Sequence, residues 1–306
     1  MAIRREIDAA LTRAVGFAYD ARRRFPIVRR TPMITITALY AYPVKSCRGI
    51  ALDRVTLTPA GFPHDREWMI VRGDGRFVTQ REEPRLALIE PSLDAGTLEL
   101  RAPGMSVLTL PREHEGESLE VRCWRDVCAA FDAGEEAARW LADFLGAPHR
   151  LVRFDARHRR PSAPAWTQGL EALNRFSDGF PWLLIGEASL QDLNDRLAVK
   201  GIARLPMNRF RPNIVLAGLP PYGEDEVHEF MIDGARLRVV KPCTRCIIPT
   251  TDQATGTRAG IEPLATLRQY RFEASLKGVL FGQNLVLAAG TGCELRVGQR
   301  VTATAR

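Results

Sequence analysis

From Met33 onward the chain runs in short apolar stretches, each closed by turn residues, and this cadence constrains the fold more than any other feature. Ile34-Thr35-Ile36-Thr37-Ala38-Leu39-Tyr40 alternates as a half-buried strand does. Val55-Thr56-Leu57-Thr58, Trp68-Met69-Ile70-Val71, Phe77-Val78-Thr79, Leu86-Ala87-Leu88-Ile89 and Leu98-Glu99-Leu100 follow at close spacing. Gly61, Gly73-Asp74-Gly75, Asp94-Ala95-Gly96 and Pro103-Gly104 punctuate them, with Gly73-Asp74-Gly75 read as a hairpin turn. Many short strands with regular turns predict a β-barrel or sandwich. Further strands are expected at 181–185, 213–216, 229–232, 237–240, 285–287 and 295–301.

Two segments depart from period two. Glu135 to Leu145 places Ala138, Leu141, Ala142 and Leu145 on one helical face and stops at Gly146 and Pro148. Glu187 to Leu197 does the same with Leu190, Leu193 and Leu197. Between the halves, Arg157-His158-Arg159-Arg160-Pro161-Ser162-Ala163-Pro164 reads as a linker or mobile loop. The expected architecture is mainly β with two short helices.

Composition matters mainly for what it excludes. The net charge of +7 suggests nucleic acid, but residues 1–32 hold eight arginines against three acids, a local +5, which leaves +2 for the rest. No nucleic-acid partner is expected. Within residues 1–32, Ile3, Ile7, Leu11, Val15 and Ala18 form one apolar stripe. That pattern suits a helix docked on the body, a membrane-surface helix drawn to anionic lipid, or a poorly ordered leader; docking is the expectation, with peripheral membrane contact as the alternative. No apolar run approaches the roughly 20 residues of a spanning helix, and no signal peptide is evident, so a cytoplasmic location is expected. Six cysteines in 306 residues do not make a disulfide scaffold and are expected to be reduced.

Chemistry is expected at Cys243-Thr244-Arg245-Cys246. Two thiols three positions apart, flanked by Lys241 and Arg245, favour thiolate, which binds soft metals and attacks electrophiles. A thioredoxin-like role needs a following helix, and Ile247-Ile248-Pro249 opposes one. Zinc shared with Cys123 and Cys128 ranks low, because more than 100 residues separate the pairs.

Three other islands mix cations with turn residues. Tyr42-Pro43-Val44-Lys45-Ser46-Cys47-Arg48-Gly49 carries one of only four lysines in a chain with 39 arginines, a compact ammonium suited to a phosphate, the plainer alternative being a solvated loop end. Asp65-Arg66 leads into a strand, the plainer alternative being a surface ion pair. In Arg209-Phe210-Arg211-Pro212-Asn213, Pro212 biases Arg211 towards extended backbone, which would aim its guanidinium at an anion, the plainer alternative being a structural arginine packed on Phe210.

Taken in order, these islands resemble the MOSC proteins, named for the C-terminal domain of molybdenum cofactor sulfurase, and among them the amidoxime-reducing components and their bacterial counterparts. The likeness also includes Val78-Thr79-Gln80-Arg81-Glu82-Glu83-Pro84-Arg85-Leu86, Ser177-Asp178, Glu187-Ala188-Ser189-Leu190, Asp252 with Gly256, and Leu280-Phe281-Gly282-Gln283. The resemblance implies a mainly β (α+β) fold with an N-terminal β-barrel region at 33–154 and a MOSC β-barrel domain at 155–304, after the basic segment 1–32. It implies molybdenum cofactor between the two, with Cys246 as the thiolate ligand to the metal. Lys45, Ser46, Arg66, Arg211 and Asn213 would hold the pterin and its phosphate, with Ser177, Asp178 and Cys243 also at the cofactor. Asp252 is close enough in sequence to donate a proton or orient a group.

Gly179-Phe180 departs from the hydroxyl residues of relatives, so contacts there would come from backbone. The cysteines lack iron–sulfur spacing, so electrons are expected from a separate ferredoxin-like, flavin or cytochrome b5-like protein. The implied activity is reduction of small N-hydroxylated substrates (amidoximes, hydroxylamines, N-hydroxylated bases). Sulfur transfer through a cysteine persulfide, and a non-catalytic cofactor-binding or delivery module, are the alternatives.

Overall fold

The computed structural model describes residues 33–258 and 260–306. The amphipathic N-terminal stripe expected within residues 1–32 lies outside the described residues.

In chain order the strands are β1 (Ile34–Ala41), β2 (Ile50–Leu52), β3 (Arg54–Thr56), β4 (Trp68–Val71), β5 (Glu90–Leu93) and β6 (Thr97–Arg101). Next come β7 (Leu108–Pro111), β8 (Ser118–Cys123), β9 (Asp126–Asp132), β10 (Arg150–Phe154), β11 (Trp182–Gly186) and β12 (Ile214–Ala217). The last are β13 (Val227–Ile232), β14 (Ala235–Arg245), β15 (Phe272–Glu273), β16 (Gly278–Ala289), β17 (Glu294–Arg296) and β18 (Arg300–Ala305). The α-helices are α1 (Glu135–Leu145), α2 (Pro164–Thr167), α3 (Glu187–Val199) and α4 (Leu264–Arg271), accompanied by short 3₁₀ turns.

Seven strands close on themselves in the order β11-β12-β1-β18-β13-β14-β16, with β16 returning to β11. Closure removes the open edges that a sheet would otherwise expose. Side chains divide by period two: Trp182 and Leu184 of β11 enter the barrel core with Ile36, Leu39, Phe230, Leu237 and Leu285. Leu183 and Ile185 face outward, where α3 and α4 cover them through Leu193, Leu197 and Leu267. Gly282 allows this closeness. A Cβ there would lie 2.7 Å from Ile185 Cγ1, and its φ is +82°.

The second body of structure is open: a four-stranded sheet β4-β10-β9-β8 and a three-stranded sheet β5-β6-β7. Here α1 buries Trp140, Leu141 and Leu145 against Trp68, Ile70, Leu98 and Leu100, and Gly146 ends it at φ +73°. The bodies interlock through the chain start. β1 precedes the expected boundary near residue 154, yet it pairs with β12 and β18 of the barrel.

The structure departs from expectation in five places, one being the expected strand 295–301, which is two strands, β17 and β18, separated by a turn at 297–299 that carries Gly298 at φ +84°. Leu86–Ile89 is not a strand: Pro84–Leu88 forms a 3₁₀ turn, because Pro84 starts it and the Glu83 carboxylate accepts the Arg85 N–H. The apolar run reflected burial rather than period two. Phe77-Val78-Thr79 contributes only an isolated bridge, Val71 to Phe77. The short helices α2 and α4 were not anticipated; α4 buries only Thr266 and Leu267, too few for a visible stripe. The charged 157–164 stretch is tied down rather than a linker. Arg160 is buried and bonds Asp126, the Arg175 carbonyl and the Ser177 carbonyl at 2.6–2.7 Å.

Candidate functional site

The islands converge on one cleft. Its lining includes Lys45, Ser46, Arg66, Arg211 and Asn213 on one side, and Cys243 and Cys246 with the loop Ser177-Asp178-Gly179-Phe180 elsewhere. The inner compartment measures about 130 Å³ and shares Arg81, Asp178, Phe180, Cys243 and Asn284 with an open groove of about 1140 Å³.

The inner wall is built around Tyr42, a buried ring just beyond β1. The guanidinium carbons of Arg66 and Arg211 lie 4.2 and 4.3 Å from its centroid, close enough for cation–π attraction to offset part of their repulsion. Its hydroxyl donates to the Pro212 carbonyl at 2.9 Å, and its backbone N–H donates to Asp65 at 2.7 Å. Burial pushes the Tyr42 phenol up, so it remains neutral. Arg66 donates to Asp65 and to Asn213 Oδ1, the latter at 3.0 Å. Asn213 in turn donates to the Tyr40 carbonyl at 3.0 Å. Arg211 donates to the Cys47 carbonyl at 2.6 Å; burial pulls its pKa down to about 10, still cationic at neutral pH.

Asp65–Arg66 is therefore a largely buried pair, not a surface one. Arg211 is not extended either: its φ is +57°, left-handed despite Pro212. The bonds to Cys47 and Tyr42 override the local bias of a pre-proline residue. Ser46 (φ +67°) and Arg66 (φ +47°) share this unusual backbone. Three strained residues lining one cleft are a structural mark of function that local sequence does not display.

Lys45 is buried and donates to the Phe176 carbonyl at 2.7 Å and to the Asp178 carboxylate. Loss of part of its surrounding water at the cleft rim opposes the Asp178 charge, but Lys45, Arg81 and the Trp124 indole, which donates at 3.1 Å, hold this carboxyl well below its usual range. Ser177 donates to Asn174 at 2.7 Å, and its carbonyl is held by Arg160. Cys47, by contrast, is fully buried and its thiol is pushed up to about 12, an inert core group.

The thiols enter at the end of β14. Register shifts at Val239/Lys241 and Pro242/Thr244 bend this strand, and Pro242 is tolerated at the second. Cys243 lies in the bulge, with Cys246 just past the strand end. Both are half-buried and free. Arg245 donates to Cys243 Sγ at 3.2 Å and to the Phe210 carbonyl at 2.7 Å. Of the expected flanking cations, Arg245 thus meets a thiol, while Lys241 lies 4.9 Å from the Trp166 ring centroid in the groove. Cys123 and Cys128 pack in a separate apolar cluster with Phe154 and Phe176.

Asp252 is the one expected site residue that does not line the cleft. Its Oδ2 accepts from Arg209 at 2.7 Å, and its Oδ1 accepts from the Ala254 and Thr255 N–H groups. Because Arg209 also reaches the Thr250 carbonyl at 3.2 Å, the pair ties down the loop that follows Cys246. Tyr42, Asp65, Trp124, Arg160 and Trp182 were not singled out for chemistry by sequence. Their importance comes from contacts at least 15 residues distant in the chain, and only turn context marked Asp65.

The donor set fits an acceptor-rich anionic ligand with a soft metal. Three buried or largely buried cations, a hydroxyl and a carboxamide line a cleft that also holds two thiols. Two buried donors on its lining, Trp182 Nε1 and Arg245 Nε, have no partner among the described residues. The inner compartment alone is smaller than the roughly 300–1,000 Å³ of common ligand sites, and the open groove supplies the remaining space.

A cleft of this kind beside a closed barrel defines a two-part architecture. Residues 33–148 match the MOSC N-terminal beta barrel domain, and residues 172–302 match the MOSC domain. The chain belongs to the MOSC family. It is 38% identical to human "Mitochondrial amidoxime-reducing component 1", covering 87% of this chain and 83% of that protein. It is 35% identical to bovine "Mitochondrial amidoxime reducing component 2", covering 78% and 72%. It is 31% identical to bovine "Molybdenum cofactor sulfurase", covering 87% of this chain but 32% of that longer protein. Among the described residues no helix is long and apolar enough to cross a membrane.

Proposed function

We propose that the chain is a molybdenum cofactor-dependent reductase of small N-hydroxylated compounds, supplied with electrons by a separate ferredoxin-like, flavin or cytochrome b5-like protein. The observation that carries this reading is the joint lining of one cleft by free thiols and strained, hydrogen-bonded cations. In it, Cys246 holds the metal, while Lys45, Arg66 and Arg211, with Ser46 and Asn213, hold the phosphate end of the pterin. Cofactor bound there supplies a two-electron, oxygen-accepting centre. In the overall reaction the N–O bond breaks and an N–H bond forms; two electrons and two protons are consumed, and water leaves.

The protein's own part is to bind and to orient. Arg66 and Arg211 are held side by side against their mutual repulsion by Asn213, the Cys47 carbonyl and the Tyr42 ring, so they meet an anion without rearrangement. Arg245 steadies Cys243 beside the ligand thiol. Asp178, kept ionised by Lys45, restrains that lysine at the cleft. Asp252 acts through Arg209 on the position of the loop that follows Cys246.

A second reading, sulfur transfer through a persulfide, draws support from the half-buried Cys243 thiol with its arginine donor and from the sulfurase relative. The test is molybdenum and pterin content of purified protein, wild type against Cys246→Ala, with benzamidoxime reduction by a chemical reductant measured alongside. Stoichiometric cofactor and turnover, with turnover lost in the variant, support the reductase. Metal-free protein from cells that make the cofactor, carrying persulfide on Cys243 or Cys246, overturns it in favour of sulfur transfer.

A further inference from the structure

The groove outside the cleft has an excess of cations that no carboxylate pairs with among the described residues. Its walls carry Arg76, Arg81, Arg122, Arg125 and Lys241. None of these forms an ion pair with a carboxylate among the described residues. The acids nearby are already engaged: Asp126 with Arg160, Asp178 with Lys45, and Glu82 with the Thr79 hydroxyl and N–H.

Two features of the backbone keep this charge in place at a cost. Arg76 and Arg122 face each other directly across a β-bridge, fixed by the Arg122 N–H to Gly75 carbonyl bond of 2.9 Å. Like charges opposite one another on a sheet are destabilising. The β8–β9 hairpin then turns in two residues, Trp124 and Arg125, with Trp124 at φ +61°. A two-residue turn with positive φ at its first position calls for glycine there, and a bulky indole is strained in that place. The indole is held where it stands: its Nε1 donates to Asp178 at 3.1 Å, Arg81 stacks 4.4 Å from its centroid, and Phe77 lies 5.1 Å away. The turn thus gives up its favoured residue to set an aromatic face and a cation at the mouth of the cleft.

We infer that this groove selects N-hydroxylated substrates whose aromatic ring bears an anionic group, a carboxylate or a phosphate, with Trp124 as the ring platform and Arg76, Arg122 and Arg125 as the anion subsite. This rests on the reductase reading for the reaction, though not for the binding. A small molecule suits the site better than a flat protein surface, because the cations line a concave space continuous with the cleft through Asp178, Phe180 and Cys243.

The test uses the full chain loaded with cofactor and driven by a chemical reductant. It compares kcat/KM for benzamidoxime and 4-carboxybenzamidoxime in wild type and in an Arg122→Gln/Arg125→Gln double variant. Two exposed charges lead us to expect a preference for the carboxylated compound that falls about fivefold in the variant and shrinks with added salt. Equal kcat/KM for the two compounds in wild type overturns the inference, as does a preference unchanged in the variant. A variant slowed only with a protein electron donor assigns the groove to that donor, and release of a nucleotide with the pterin assigns it to the cofactor; either overturns the inference. Calorimetric titration with the non-reducible pair benzamide and 4-carbamoylbenzoate separates the two failures. Tighter binding of the carboxylate in a protein that reduces neither amidoxime leaves the groove standing and removes the reductase.

Discussion

The cations of the inner wall and those of the groove are chemically alike and physically opposite. Arg66, Arg211 and Lys45 are wholly or largely removed from water, and each donates to oxygen atoms of the protein. Arg76, Arg122 and Arg125 are exposed and meet no carboxylate among the described residues. Burial makes the first set part of the fold, because removing one leaves buried oxygens without partners. The second set is an electrostatic field laid on a finished surface, open to change without loss of structure.

The largest effect that tests this contrast belongs to Arg211→Ala. It strands the Cys47 carbonyl and uncovers the Tyr42 ring, which should cost about 3 kcal/mol of stability in urea unfolding, with pterin lost as well. Arg211→Met keeps the volume without the charge, so it should unfold closer to wild type while still losing pterin. If Arg211→Ala unfolds like wild type, the inner set is not structural and the contrast fails.

Next in size is the response to inorganic phosphate. Burial, and after it crowding by Arg66, leaves Arg211 less easily protonated than a free arginine, and the charge of a bound dianion offsets both. Cofactor-free protein should therefore gain about 2.7 kcal/mol at phosphate 100-fold above its dissociation constant. A thermal melt at constant ionic strength would show this as a rise in midpoint, absent in Arg211→Met and retained in Arg122→Gln. A rise retained in Arg211→Met would move the anion site to the groove.

The same contrast explains how much was legible in the sequence. Barrel strands announced themselves because Trp182, Leu184 and their neighbours alternate between two apolar environments. The four islands, each weak alone, were legible because they occur together and in order along the chain, and nine of the ten expected site residues line the cleft. What stayed hidden depends on distant partners. The left-handed φ of Arg211 is set by Cys47 and Tyr42, more than 160 residues away, against the bias of its own proline. Arg160 looked like linker charge because its partners, Asp126 and the Ser177 carbonyl, are distant in sequence too. Asp252 was chosen for its nearness in sequence to the thiols, and in space its carboxylate turns to Arg209 instead.

A smaller effect comes from Asp178, which lies between the two sets. Its carboxyl has a lower pKa folded than unfolded, so the unfolded chain binds more protons as pH falls through the carboxylate range. Its contribution is therefore present above the ordinary aspartate pKa and is lost as pH drops towards the depressed folded value. Because its side chain is 63% exposed, we expect Asp178→Asn to cost only about 1 kcal/mol at neutral pH. Unfolding free energies of variant and wild type should converge in acid. A constant gap down to strongly acidic pH would mean that Lys45 does not depend on the carboxylate charge.

The smallest effect gives the sharpest test, because its sign is opposite to that of the inner wall. Arg122→Gln removes one of two like charges facing each other across the Arg76 bridge and leaves no buried group unpaired. Its stability should lie within about 0.5 kcal/mol of wild type, on the stabilising side. The gain should fade at high salt, where the repulsion is already screened. Urea unfolding at low and high ionic strength measures both quantities. A loss of stability on removing Arg122 would show that the groove cations, like the inner ones, are held by the fold.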